Sequence, residues 1–360
     1  MASPESFDRA AALKEFDEAK TGVRGLVEYG VTALPAIFRH PIPRLRHSPL
    51  SSPILSVPII DLSVPRSSAV ALATAASRDF GFFQVVNHGI PLSLLSRTLS
   101  AVRSFHELPP SVRSAFYSRS TKTGVNYSSN VDLYRSTAAS WRDTLQMVMG
   151  PTRPDPERIP PVCRAELLEW DEHVVTVGRV LMGLLAEGLG VDAGSLEEAT
   201  CLEGRVMVCH YYPPCPEPEM TTGIAEHTDP GVLTVLLQDD IGGLQVKRDL
   251  EGGESVWVDV QPVPGALVIN VGDLLQIMSN NEYKSVEHRV LANSNQKPRV
   301  SVATFFNPGD RGDSKFYGPL PELVSADKPP HYRNFTYEEF MGAFFSKQLL
   351  SRRLVDHFKF

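Results

Sequence analysis

The sequence predicts a mainly β protein whose core is a sandwich or jelly roll with helices on its flanks. Seven short apolar runs follow Gly204 at close spacing, and Pro, Gly, Asp and Asn separate them. The half before Gly204 alternates strand-like and helix-like patterns, and the C-terminal tail returns to helical spacing. We therefore expect a β core flanked by a mixed α/β N-terminal part and a C-terminal helix.

In the N-terminal half, apolar residues at helical spacing predict one helix over residues 14–29, closed by Gly30. The prolines within residues 41–58 favour an extended linker laid over the surface. Further on, β-branched and aromatic runs predict strands, and Ala-rich or Leu-rich runs predict helices. The strands are expected at 57–61 and 81–87, and the helices at 68–79, 91–105 and 165–190.

The second half of the sequence has a pattern typical of short strands with few helices between them. These strands are expected at 205–211, 232–238, 243–247, 255–260, 266–270, 283–291 and 299–306. The tail pattern predicts a helix over 337–350. We accordingly divide the chain into an N-terminal helix with a Pro-rich linker (1–54), a mixed α/β region (55–200) and a jelly-roll core with a C-terminal helix (201–360).

Charge and hydropathy exclude several classes of protein. The 360 residues carry 35 basic and 42 acidic side chains, a formal charge of −7, and no cationic cluster, so a nucleic-acid partner is not expected. The apolar runs are shorter than the roughly 20 residues of a membrane span. The N-terminus mixes charges without a signal-peptide core, so we expect a cytoplasmic protein. The four cysteines form no C-x-x-C pair and are interpreted as free thiols.

Residues with metal-binding side chains lie in the predicted β region. His227 and Asp229 are two residues apart, so in an extended segment both side chains leave the same face. One such pair is expected by chance in a chain of this composition, but His288 in a later predicted strand strengthens the case. Two His and one Asp match the ligand set of non-haem Fe(II), whereas structural zinc takes four protein ligands, usually with Cys.

Arg299 and Ser301 share one face of another predicted strand. A guanidinium fork binds a carboxylate through two parallel charge-assisted hydrogen bonds, and a Ser hydroxyl can add a donor beside it. This pair suits the far carboxylate of a dicarboxylic acid whose other end chelates the metal.

With these residues in place, the chain resembles a plant 2-oxoglutarate/Fe(II)-dependent dioxygenase over about residues 55 to 310. The matching segments, in family order, are Pro58-Ile-Ile-Asp61, Gly81-Phe-Phe-Gln-Val-Val-Asn-His-Gly89, Tyr211-Tyr-Pro-Pro-Cys-Pro216, His227-Thr-Asp229, Gly242-Gly-Leu-Gln245, Asn270-Val-Gly-Asp273, His288-Arg-Val290 and Arg299-Val-Ser301. The resemblance implies a double-stranded β-helix (jelly roll). It also implies Fe(II) bound by His227, Asp229 and His288, and 2-oxoglutarate bound by Arg299, Ser301 and Tyr212.

The family couples the oxidative decarboxylation of 2-oxoglutarate, which yields succinate and CO₂, to the oxidation of a second substrate by O₂. Ascorbate is expected as a reductant. One position departs, because His210 stands where the family usually has Asn before Tyr-Tyr. His210 could be a third iron ligand, a substituted hydrogen-bond donor or a structural strand residue; we favour the last two. Trp141-Arg142-Asp143 also matches a family segment, and we assign it to fold support.

Residues 16–27 and 34–38 resemble the subgroup called 1-aminocyclopropane-1-carboxylate oxidase homologues, which includes hydroxylases of benzoxazinoid glucosides and indole alkaloids. We therefore expect hydroxylation of a small aromatic or heterocyclic specialised metabolite. The alternatives are an ascorbate-dependent oxidase of the 1-aminocyclopropane-1-carboxylate oxidase type and a non-catalytic jelly-roll metal-binding protein. Phe306, Tyr134, Tyr127 and Phe345 are the candidate substrate contacts, although ordinary core packing also explains each aromatic. The sequence does not select an oligomeric state.

Overall fold

The computed structural model describes residues 7–40, 56–120, 122–250, 253–309, 316–346 and 353–360. Its strands are β1 (Ile59–Asp61), β2 (Phe82–Val86), β3 (Val125–Ser128), β4 (Asp143–Gly150), β5 (Gly204–Tyr212), β6 (Thr222–His227), β7 (Leu233–Gln238), β8 (Leu244–Asp249), β9 (Ser255–Asp259), β10 (Leu267–Val271), β11 (His288–Leu291), β12 (Arg299–Asn307), β13 (Phe316–Tyr317) and β14 (Phe335–Thr336). Its α-helices are α1 (Arg9–Glu18), α2 (Gly22–Glu28), α3 (Arg66–Asp79), α4 (Leu92–His106), α5 (Pro110–Arg113), α6 (Arg164–Leu189), α7 (Ser195–Glu198), α8 (Asp273–Met278) and α9 (Tyr337–Phe345).

Two sheets face each other and confirm the predicted jelly-roll core with flanking helices. The larger sheet has the order β1-β2-β10-β7-β12-β5-β4-β3, and the smaller has the order β6-β11-β8-β9. A buried apolar cluster lies between them, with Phe82, Tyr212 and Val268 from the larger sheet and Val246 and Val290 from the smaller. Burial of these side chains holds the two sheets together.

The predicted mixed α/β region contributes four strands to the larger sheet. Strands β1 and β2 extend the sheet at one end and β3 and β4 at the other. Helix α6 covers the outer face, and the Trp170 Nε1 donates a 3.2 Å hydrogen bond to the Thr304 hydroxyl of β12. The boundary that we placed at residue 200 therefore separates segments of the chain that share one sheet and one core.

The N-terminal segment differs from the single helix predicted over residues 14–29. Two helices form instead, since Lys20, between them, and Gly22, the first residue of α2, take positive φ values of 55° and 67°. The buried Asp143 carboxylate accepts the N–H groups of Val23 and Arg24 at 2.8 and 2.7 Å, so it satisfies free donors in the first turn of α2. The break occurs because a carboxylate distant in sequence binds this turn.

Most other predicted elements agree with the structure within a few residues. Helix α6 ends before Gly190, whose φ of 81° gives it the left-handed conformation common at helix ends. The strand predicted from residue 283 begins only at His288, and β3, β4, β6 and α8 were not predicted. Most of the Pro-rich linker and the end of the predicted tail helix lie outside the described residues. The four cysteines are free, as predicted, and all four are buried.

One further expectation concerns membranes. Among the described helices, none combines the length and the apolar character that crossing a bilayer requires.

Candidate metal centre and carboxylate clamp

Three predicted metal-binding side chains come together between the two sheets. His227 ends β6, His288 begins β11 directly opposite it, and Asp229 follows two residues after His227. The Asp229 Oδ1 lies 3.5 Å from the His227 Nε2 and 3.7 Å from the His288 Nε2. One ligand atom from each of the three residues lies within 4.8 Å of the others, which suits a single metal ion.

Hydrogen bonds orient all three side chains. The Nδ1 atoms of His227 and His288 lie 2.9 and 3.2 Å from the carbonyl oxygens of Ala225 and Val286. Donation of Nδ1–H to these carbonyls leaves each Nε2 as a lone-pair donor toward the shared centre. Such backbone partners fix both the tautomer and the direction of each ring.

The other oxygen of Asp229 is bound by the larger sheet. Thr234 Oγ1 donates to the Asp229 Oδ2 at 2.6 Å, and Asn270 Nδ2 donates to the same oxygen at 2.8 Å. Oδ1 is thereby directed to the imidazoles. Sequence reasoning missed both donors, although their position on strands beside the site follows once the sheet order is known.

The electrostatics of the triad favour a cation. Burial opposes ionisation of Asp229, yet the imidazoles of His288 and His227 and the Thr234 hydrogen bond hold its pKa well below the usual value. Burial lowers the pKa of His227, but the adjacent Asp229 carboxylate outweighs it, so the net shift is upward. Burial and the nearby His227 lower the pKa of His288 to about 4. A carboxylate and a neutral imidazole therefore stand ready as ligands.

Replacing Thr234 with Val should weaken metal binding without unfolding the protein. The change keeps the side-chain shape but removes one donor to Asp229, and loss of such a partner typically costs about 10-fold to 100-fold in metal affinity. Titration with Mn(II) followed by electron paramagnetic resonance would measure the dissociation constant. Thr304→Val is the matched control, because the Thr304 hydroxyl bonds Trp170 on the opposite face of the sheet. Equal affinities in the two variants would contradict the proposed role of Thr234.

Arg299 and Ser301 also face the space between the sheets. The Arg299 Nη1 donates to the Ser301 Oγ at 3.2 Å, and Nη2 donates to Gln238 Oε1 at 2.9 Å. Tyr212 lies opposite Arg299 in the sheet, and its ring centroid is 4.8 Å from the guanidinium carbon. The three residues predicted for the cosubstrate are thus neighbours.

The Arg299 guanidinium is a buried cation with only 2% of its surface exposed. Within the described residues it has no acidic partner at ion-pair distance, and its Nε has no hydrogen-bond partner. Asp239, on the loop after β7, accepts the Val300 N–H and forms its ion pair with Arg103. Arg299 acts on it only from a longer distance, where its charge opposes the rise that burial causes in the pKa of Asp239. Because a buried charge is costly without a counter-charge, this pattern fits a site for a carboxylate ligand.

His210 lies beside Arg299 and Ser301 but outside the group of His227, Asp229 and His288. It is directly opposite Ser301, and its Nδ1 lies 3.0 Å from the Thr144 hydroxyl. Burial, together with the cations of Arg142 and Arg299, lowers the pKa of His210 well below its usual value, so the ring is neutral. Among the described residues the metal-binding group contains His227, Asp229 and His288, and His210 is not part of it.

Two predicted substrate contacts need correction. Phe306 lies on the outer face of β12, where its ring packs against Gly178 of α6. Tyr127 is fully buried among Phe105, His106 and Tyr117 on the same side of the sheet. Both rings pack in the core because the strand alternation directs them away from the triad.

Phe305 takes the position that we had predicted for Phe306. It is directly opposite Thr234, whose side chain bonds Asp229, so both project into the space that contains the triad. Tyr134 is half-exposed and its hydroxyl donates to Asp17 of α1 at 2.9 Å. Phe345 is half-exposed at the end of α9 and contacts Phe344. Substrate contact by Tyr134 or Phe345 stays a prediction.

A jelly roll with this triad beside a buried guanidinium is typical of non-haem Fe(II) oxygenases. Comparison with known families agrees. Residues 203–308 match the 2OG-Fe(II) oxygenase superfamily, and residues 57–165 match the N-terminal domain described as non-haem dioxygenase in morphine synthesis.

The chain is also similar to named relatives along nearly its whole length. It is 45% identical to the Arabidopsis thaliana 1-aminocyclopropane-1-carboxylate oxidase homolog 3, covering 98% of this chain and 97% of the relative. It is 45% identical to an Arabidopsis thaliana probable 2-oxoacid dependent dioxygenase, covering 93% and 94%. The chain belongs to the 2OG-Fe(II) oxygenase superfamily and is a 2-oxoglutarate-dependent dioxygenase.

Solved structures show the same fold. JOX2, crystallised in complex with 2OG, Fe and JA, is 33% identical, with a TM-score of 0.82 over 94% of this chain and 97% of that chain. A dioxygenase for auxin oxidation from rice is 26% identical, with a TM-score of 0.65 over 80% of this chain and 94% of that chain. Family membership thus indicates Fe(II) and 2-oxoglutarate as the cofactors.

Proposed function

We propose that this dioxygenase hydroxylates a small aromatic or heterocyclic plant metabolite, with His227, Asp229 and His288 as the iron ligands and Arg299, Ser301 and Tyr212 as the cosubstrate site. The observation that carries the proposal is the buried Arg299 without an acidic partner in the described residues, on the same interior surface as the triad. Family relatives support the reaction class. Ascorbate as a reductant belongs to the same proposal.

Each residue has a distinct task in this reaction. His227, Asp229 and His288 would hold Fe(II), and a metal held by three protein ligands could also take a chelating cosubstrate and O₂. Arg299 binds the far carboxylate of the cosubstrate as a fork, and the Ser301 hydroxyl and Tyr212 lie beside it. When bound, Fe(II) and 2-oxoglutarate together supply the oxidising chemistry. Phe305 lies on the triad side of the sheet and offers an apolar surface to the substrate.

Anaerobic titration of the Fe(II)-loaded protein with 2-oxoglutarate tests the proposal directly. The chelate should give a weak visible charge-transfer band in the wild type. Arg299→Ala should need at least about 10-fold more 2-oxoglutarate for the same band, since a charge-assisted bidentate contact is lost. Arg299→Lys should show an intermediate requirement, because one point charge replaces a fork.

Arg97→Ala is the matched control, because this arginine is half-exposed and pairs with Glu169 on the outside of the protein. Its titration should match the wild type. A protein that binds iron but gives no band would contradict the 2-oxoglutarate site and favour the ascorbate-dependent alternative. If the band forms, succinate release with candidate aromatic compounds identifies the substrate, and mass spectrometry of the product tests for one added oxygen.

A further inference from the structure

Arg142 is a second arginine that reaches the interior of the site. It directly precedes β4, where the side chain of Asp143 points outward to α2 and that of Thr144 points inward to His210. Strand alternation places Arg142 on the same inner side as Thr144. Its Nη1 donates to the Gly223 carbonyl of β6 at 2.9 Å, and β6 is the strand that ends in His227.

This guanidinium lacks a counter-charge in the described part of the chain. No acidic group is within ion-pair distance of it there, and its buried Nε has no hydrogen-bond partner. The buried Arg113 and the mostly buried Arg205, by contrast, pair with Glu28 and Asp171. Leaving a half-buried cation uncompensated is costly, and an anionic ligand would remove that cost.

The cation also acts on the metal site electrostatically. After burial, Arg142 contributes most to the lowering of the His210 pKa, ahead of Arg299, and it opposes the upward pKa shift that Asp229 gives His227. His210 therefore stays neutral, and its Nε2 has no partner among the described residues. Arg142 and the nearby His210 form one wall of the site, and the positive charge of Arg142 makes this wall attractive to an anion.

The cosubstrate does not require this second cation. With the proposed ligands bound, the charges of Fe(II) and Arg299 are balanced by the Asp229 carboxylate and the two carboxylates of 2-oxoglutarate. Arg142 is not needed for this balance, and its positive charge has no acidic partner at ion-pair distance among the described residues. The inward-facing Phe305, and Ile224 of β6, which packs against the core between the sheets, supply apolar surface.

We propose that Arg142 is a specificity-determining residue and that the organic substrate is a monoanion, an apolar or aromatic body carrying one carboxylate-like group that pairs with the Arg142 guanidinium. This inference rests on the proposed function and adds the charge class of its substrate. The same wall would discriminate against neutral amides of equal shape, because an amide leaves the cation without a counter-charge.

Binding to a redox-inert complex tests the inference without turnover. The protein would be loaded with Mn(II) and saturating 2-oxoglutarate and titrated calorimetrically with benzoate, 3-phenylpropanoate and 2-naphthoate, each beside its primary amide. At least one acid should bind about 10-fold more tightly than its amide in the wild type, as expected for a charge-assisted pair. In Arg142→Gln this preference should fall to within about twofold.

Arg142→Lys should retain part of the preference, because the charge remains and the fork is lost. Arg97→Gln, which changes an exposed arginine outside the site, should retain all of it. Thermal unfolding and Mn(II) affinity check that Arg142→Gln is folded, and the comparison of acid with amide in the wild type does not depend on any variant. If no acid binds at concentrations up to about 10 mM, or if the preference persists in Arg142→Gln, the inference is overturned.

The two proposals fail in different ways. Loss of the 2-oxoglutarate charge-transfer band in the wild type contradicts the proposed function. An intact band with equal binding of acids and amides contradicts only the role of Arg142.

Discussion

Asp229→Asn should lower the affinity for Fe(II) by more than about 100-fold and abolish turnover. Loss of a residue that only supports a ligand typically lowers metal affinity about 10-fold to 100-fold, and loss of the ligand itself should lower it further. The substitution removes the negative charge, and it also creates a conflict of donors. Thr234 and Asn270 both donate to the Asp229 Oδ2, so they would hold an amide oxygen there. The amide NH₂ would then face the metal, where it offers no lone pair.

Calorimetric or spin-resonance titration with Mn(II) and an assay of succinate release would measure the two effects. Asp259→Asn is the control, because Asp259 accepts from Gln245 Nε2 at 2.8 Å and has no contact with the triad. Near-normal metal affinity in Asp229→Asn would remove this residue from the proposed ligand set.

Asp171→Ala should destabilise the fold by about 3 kcal/mol or more, because it leaves the mostly buried Arg205 guanidinium without its carboxylate partner. Asp171 is fully buried on α6, and its carboxylate accepts from Arg153 at 2.8 Å and from Arg205 at 3.1 Å. Arg205 also donates to the Met149 carbonyl at the end of β4. The carboxylate therefore joins the helix layer to the edge of the larger sheet.

Urea denaturation followed by circular dichroism would give the change in the free energy of unfolding. Glu169 lies two residues away on the same helix, and Glu169→Ala also removes the partner of an arginine, Arg97, but both of these side chains are about half-exposed. This control should cost less than about 1 kcal/mol. Similar losses in the two variants would show that the burial of Asp171 does not determine its contribution.

Part of the proposed site follows from spacing, because His227 and Asp229, and likewise Arg299 and Ser301, are two residues apart and share a face of an extended segment. The family resemblance added Tyr212 and the role proposed for each residue.

The alternation of side chains along β12 also predicts which of its two phenylalanines faces inward. If Arg299 and Ser301 face inward, then Phe305 does so as well and Phe306 faces outward, as the contact of Phe306 with Gly178 demonstrates. The aromatic position was therefore predictable from the alternation of β12 alone.

Other features depend on contacts that no local pattern encodes. Strand β6 lacks a clear alternation of apolar and polar residues, and it forms an edge of the smaller sheet by pairing with β11. The division of the N-terminal helix is caused by Asp143, a residue about 120 positions away. Arg142 lies near the proposed site only because β6 folds beside it, where the Gly223 carbonyl accepts its hydrogen bond. In each of these cases, contacts with residues distant in the sequence determine the structure.

If Arg142 selects the substrate as we propose, the anchoring of α2 by Asp143 connects the N-terminal helices to that selection. Asp143 binds α2 on the outer side of the sheet, whereas its neighbours Arg142 and Thr144 face the space between the two sheets. A shift of α2 would therefore be transmitted to Arg142 and Thr144. Gly22 fixes this docking, because a Cβ there would meet the Asp143 carboxylate at 2.3 Å. Substitutions in the N-terminal helices would thus change the position of Arg142 while the proposed iron ligands stay unchanged.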